Sequence, residues 1–115
     1  MTTRNARHSD VILVPYPISG VTTTKRRPAV VISSDHYNTS TGEVMIAPIT
    51  SRGNSMPRVG DYSIVDWRQS GLLGPATVRS RIITIRASHV LKVLGSLTRR
   101  DVDGLAGWIR RVLDL

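Results

Sequence analysis

Five or six short apolar runs, rich in β-branched residues and separated by turn formers, leave this chain few ways to fold. DVILVPY (10–16) and PAVVISS (28–34) read as buried strands. GEVMIAPIT (42–50) follows the turn signal Asn38-Thr39-Ser40-Thr41-Gly42, and YSIVDW (62–67) is the next candidate. ATVRSRIITIR (76–86) alternates before its isoleucines, so Arg79 and Arg81 would share one face of a strand, and HVLKVLGSL (89–97) closes the series. So many short strands in 115 residues, with no repeat or linker, predict one domain over 1–115: mainly β, a small, strongly bent antiparallel barrel.

The end of the chain has another period. Thr98 with Asp101 three residues on is a helix-capping pattern. Val102, Leu105, Ile109, Val112 and Leu113 then recur at helical spacing and predict a C-terminal helix that serves packing rather than chemistry. Trp108, one residue off that face, reads as a packing or interface residue, and Gly104 and Gly107 as points of close approach to the sheet.

Sixteen Lys and Arg against eight Asp and Glu give a net charge of +8, and most of the cations are arginine. Arginine pairs bidentately with phosphate, so this balance points to a polyanionic partner, a nucleic acid or an acidic protein segment. Cysteine is absent, which removes disulfides and thiolate chemistry. His8, His36 and His89 are scattered, suggest no acid–base pair and make a structural zinc site improbable. No run is long enough to span a membrane, and the N-terminal MTTRNARHSD lacks the apolar stretch of a signal peptide, so the reading is cytoplasmic, with no cofactor and no metal.

Two polar, basic loops, residues 17–26 and 51–58, each adjoin a strand end. DVILVPYPISG, KRRPAVVIS and YNTSTGEVMIAPITS, followed by GPATVRSRIITI and the terminal helix, resemble in order and spacing the MazF/PemK (Kid) family, the toxins of bacterial toxin–antitoxin pairs. The resemblance covers most of the chain. It implies a dimerising SH3-like barrel of the CcdB/Kid/MazF type, and an endoribonuclease that cuts single-stranded RNA without metal. It implies cleavage by attack of the ribose 2′-hydroxyl on its own phosphate, and neutralisation by a cognate acidic antitoxin. The family's catalytic Arg falls on Arg27 and its catalytic Thr on Thr50.

Those residue types suit that chemistry. The phosphorane-like transition state gathers charge on its equatorial oxygens, which a fixed guanidinium meets with two hydrogen bonds. Pro28 holds the residue before it extended and so aims Arg27. Thr50 can bind a phosphate oxygen or orient the 2′-hydroxyl, but neither residue is a base at neutral pH, and the sequence names none. Lys25, Arg26, Arg79 and Arg81 are candidate RNA-backbone contacts, joined by Ser19, Ser51, Arg52 and by Thr77, which stands where some relatives carry Gln. Tyr16 is the candidate for stacking a base. The alternative, from another class, is a non-enzymatic CcdB-like toxin that binds DNA gyrase.

Overall fold

In the computed structural model, which describes residues 6–17, 24–52 and 56–115, the centre of the sheet is β1 (Asp10–Pro17). It lies antiparallel between β2 (Thr24–Val31) and β7 (Lys92–Ser96). Val11, Ile12 and Val14 are all fully buried, so the run is apolar throughout rather than alternating, as a strand covered on both faces requires. β3 (Glu43–Ser51) carries β2 on one side, and on the other first β6 (Ile83–Arg86) and then β5 (Ala76–Val78), whose far edge holds the two-residue β4, Tyr62–Ser63. The order is β4-β5-β3-β2-β1-β7, with β6 on the same side of β3 as β5.

Each face of this sheet has its own core. Ile12, Val14, Ala29, Val31, Val44 and Ile46 form one, with Ile83, Ile85, Val90 and Val93 packed against it, so the sheet curls until β6 and β7 both reach it. Val11, Val30, Ile49, Ile64 and Val78 form the other, roofed by Leu105 and Trp108 of α2 (Arg99–Leu113). Burying each such large side chain is worth roughly 1.5–3 kcal/mol.

The ladder is bent but not closed: among the described residues β4 and β7 do not pair. The turn after β4 fills that seam. Gly71, at φ +86°, lies against the Leu94 carbonyl, and Gly95 lies against the Ser70 carbonyl, so a Cβ at either would strike backbone.

Several boundaries differ from the sequence reading. β2 starts before Pro28 and takes in Lys25, Arg26 and Arg27, because β1 supplies partners that far out. The stretch read as a turn around Asn38 is α1 (Asp35–Thr41), capped by the Ser34 hydroxyl and stopped by Gly42 at φ +71°. YSIVDW is a strand for two residues only, and ATVRSRIITIR is two strands with a break at 79–82, so Arg79 and Arg81 do not alternate along one strand. A short 3-10 helix, Ala87–His89, precedes β7.

The terminal helix starts where expected, but its first turn is wired differently. The Thr98 side chain makes no capping bond; its hydroxyl donates to Asp66 at 2.6 Å. Asp101 is 0% exposed. It accepts from the Tyr62 hydroxyl at 2.5 Å and from the backbone N–H groups of Val65 at 2.9 Å and Asp66 at 2.8 Å. Three donors satisfy a carboxylate that burial alone would not tolerate. The apolar face is also rotated: Trp108 is buried, with its Nε1–H bonded to the Gly60 carbonyl at 2.7 Å, while Val112 and Leu113 are 36% and 53% exposed. Gly104 admits the Tyr62 ring, where a side chain would collide; Gly107 meets only the Arg111 side chain. Among the described residues no helix is long and apolar enough to cross a membrane.

Replacing the buried carboxylate, Asp101→Asn, turns an acceptor oxygen into a donor that faces an N–H or O–H group. The expected loss is about 2–3 kcal/mol of stability, read by thermal or urea unfolding, with Tyr62→Phe costing less, about 1–2 kcal/mol. The nearby Asp66 carboxyl is held below the usual carboxylate range by hydrogen bonds from Arg100 and Thr98. Its folded pKa is depressed, so its contribution is present above the unfolded value, about 4, and is lost as pH falls through the folded one. Melting temperature against pH is expected to fall less steeply on the acid side in Asp66→Asn than in the parent.

Candidate active site

β2 and β3 part company at their prolines. Their ladder runs Val31↔Ile46, Val30↔Ala47, Ala29↔Pro48 and stops. Beyond it Pro28, which has no N–H to offer, is paired only with Leu13 of β1, and Arg27, Arg26 and Lys25 follow opposite Val14, Pro15 and Tyr16. β3 meanwhile turns to β5, pairing Ile49↔Val78, Thr50↔Thr77 and Ser51↔Ala76. Carrying the β2–β3 register two residues past its last pair sets Arg27 across from Thr50 on the same face of the sheet, with a gap between the diverging strands. Both are half-buried, as groups held by packing yet open to a ligand must be.

Alternation divides the basic triplet. Lys25 and Arg27 share the face of Val14 and Tyr16, whereas Arg26 lies on the face of Pro15. Lys25, Arg26, Ser51 and Arg81 are exposed and Arg52 is half-buried, its backbone N–H bonded to the Pro75 carbonyl at 2.9 Å. Thr77, opposite Thr50, is only 4% exposed and has little surface to offer a ligand. Arg79 is engaged: its Nε lies 3.0 Å from Asp61, and its backbone N–H donates to the Pro48 carbonyl at 2.9 Å. Ser19 lies outside the described residues.

Tyr16 has an unforeseen contact. Its hydroxyl donates to the Arg81 carbonyl at 2.9 Å, and its ring packs against the core of Ile12, Val14 and Ala29. Burial pushes the phenol up, opposed by the guanidinium groups of Arg81 and Arg27. A phenol that donates and is shifted upward keeps its proton at neutral pH. By register Lys25 and Arg27 lie on the face that carries Thr50, and guanidinium, ammonium and hydroxyl groups are all able to bond phosphate oxygens.

The histidines stand elsewhere, in the segment before β1, in α1 and in the 3-10 helix; the His8 ring meets the Ser33 carbonyl at 3.2 Å. Among the described residues no group of three His, Cys, Asp or Glu could hold a metal ion. A largely apolar cleft of about 440 Å³, lined by Leu13, Pro28, Ile49, Leu72 and Leu94, reaches Thr50 and Ser51 at the end of β3. Sequence reasoning missed Asp61, the Tyr16–Arg81 bond and the buried Asp101. Long-range partners of this kind leave no local pattern.

Solved structures share the fold. The Mycobacterium tuberculosis toxin MazF-mt6 superimposes with a TM-score of 0.74 at 20% identity, over 92% of this chain and 97% of that one. An endoribonuclease in complex with its cognate antitoxin, from a mycobacterial species, gives 0.73 at 15% identity over 98% and 97%. The MazE–MazF complex of Deinococcus radiodurans gives 0.74 at 16% over 97% and 99%. No curated protein sequence matches the chain. The family model for the PemK-like, MazF-like toxins of type II toxin–antitoxin systems matches residues 7–113, nearly the whole chain, and the protein belongs to that family.

Proposed function

We propose that this toxin is a sequence-selective endoribonuclease that cleaves single-stranded RNA without a metal ion. The observation that supports the reading is the β2–β3 register, which, carried two residues past its last pair, sets Arg27 opposite Thr50 on one face where the strands no longer pair. The ribose 2′-oxygen attacks the adjacent phosphorus, the bond to the 5′-oxygen breaks, and the products are a 2′,3′-cyclic phosphate and a 5′-hydroxyl. Arg27 directs two N–H groups at the equatorial oxygens as their charge grows, which is differential stabilisation of the transition state. Thr50 bonds a phosphate oxygen and fixes the in-line geometry. Lys25, Arg26, Ser51, Arg52 and Arg81 position the strand, and Thr77 sits behind Thr50; Arg79, tied to Asp61, sets the frame.

A similar fold in an endoribonuclease that binds a cognate antitoxin supports a partner of the same kind here: a short acidic segment that covers the basic strand ends. The functional unit in this reading is a homodimer.

Cleavage of a long single-stranded transcript in excess EDTA is the direct test. The expected outcome is cutting at discrete sites, with cyclic-phosphate ends. Arg27→Ala should lower the rate by about 100- to 1,000-fold and Thr50→Ala by about 10- to 100-fold. Cutting that survives in Arg27→Ala refutes the assignment of the site, and a folded parent that cuts no transcript refutes the activity. A stoichiometric acidic antitoxin peptide should abolish cutting; undiminished rates at saturating peptide would exclude inhibition at this surface.

A further inference from the structure

β5 ends at Val78 and β6 begins at Ile83, so residues 79–82 lie outside the sheet while linking two of its strands. Two tethers are visible on that link. At its start the Arg79 amide bonds the Pro48 carbonyl and the Arg79 guanidinium bonds Asp61. Near its end the Arg81 carbonyl accepts from Tyr16 of β1, a residue sixty-five positions earlier in the chain. Tyr16 and Arg27 are diagonal neighbours on one face of the β1–β2 pair, since Tyr16 stands opposite Lys25 and Arg27 opposite Val14. Diagonal side chains in such a pair stand roughly 7–8 Å apart at most, within reach of a ring and a guanidinium. The bond to Arg81 therefore brings an exposed cation of the link to the same corner of the sheet as Arg27.

We propose that Tyr16 is a positioning residue whose hydroxyl holds Arg81 beside Arg27, so that two guanidinium groups, one from β2 and one from the 79–82 link, bracket a single phosphate. This deepens the ribonuclease reading and rests on it for the identity of the phosphate. It also reassigns Tyr16. Its ring is packed against the core rather than presented to a base, and its hydroxyl is spent on the backbone. The two non-bridging oxygens of a phosphodiester can each accept more than one hydrogen bond, so a guanidinium on either side can bond them, and fixing the Arg81 main chain shortens the search its side chain must make. The tether acts on the carbonyl of Arg81, so its benefit to binding exists only while the Arg81 side chain is present.

That dependence gives the test. Tyr16→Phe keeps the ring and removes only the hydroxyl; Arg81→Ala keeps the carbonyl and removes only the guanidinium. Binding of a fluorescent single-stranded 2′-O-methyl oligonucleotide of mixed sequence, which lacks the nucleophilic hydroxyl, is measured for the parent, both variants and the double variant. Melting curves confirm that each is folded. Arg81→Ala is expected to weaken binding about tenfold and to lower the salt slope by about one. Tyr16→Phe is expected to weaken it about 3- to 10-fold with Arg81 present and to have no further effect in Arg81→Ala, the mark of coupled residues. An equal loss in both backgrounds, or none in either, overturns the proposal. A parent that binds with this coupling yet cuts no RNA would sink the ribonuclease and leave the two-arginine phosphate site standing.

Discussion

β3 changes partners in mid-strand, and the corner of the sheet that carries Arg27 follows from that switch. On one side its pairing to β2 ends at Pro48; on the other it is paired to β6 up to Ile46 and to β5 from Ile49. Proline suits the change, because it has no N–H to leave unpaired where one ladder is abandoned and the next has not begun. Pro28 stands on β2 where the ladder to β3 has just ended, with the same chemical consequence. Two rigid strands thus open like a fork, and the residues just beyond each proline, Arg27 and Thr50, face one another across the tines. No mobile loop has to be ordered to bring them together, so the entropy of assembly is spent in folding rather than in binding.

Stability and chemistry occupy different parts of the molecule. The buried Asp101 fastens α2 to the turn after β4, and Asp66 doubles that join from the outside through Arg100 and Thr98. Neither lies on the fork. Two of the eight acids in the chain are thereby committed to the helix, and Asp61 is committed to Arg79. None of these three acids is therefore free to neutralise Lys25, Arg26 and Arg27 at the end of β2.

The strands were legible where burial is two-sided, because VILV and PAVV are short β-branched runs that are apolar at every position. Arg27 and Thr50 were named from the family resemblance, with Pro28 the local reason to expect Arg27 in an extended conformation. The helix at 35–41 was not, because seven polar residues with a glycine after them serve equally well as a turn; only the Ser33 and Asn38 side chains, bonded to each other in the interior, decide it. Thr98 and Asp101 have the spacing of a local cap, and the structure spends them on residues more than thirty positions away. Tyr16 was read as a base-stacking residue because it opens a loop. Its actual environment is set by a carbonyl on the far side of the sequence.

The unclosed seam carries a consequence for how such a chain can diverge. Gly71 is pressed against the backbone of Leu94 and Gly95, and Gly95 against that of Ser70 and Gly71, so the two segments share one narrow space. A side chain acquired at either position must push the same two stretches of main chain apart. Moving them would make room at Gly95, but Gly71, at φ +86°, would stay strained with any side chain, so Gly95 is the position of the two where variation can begin.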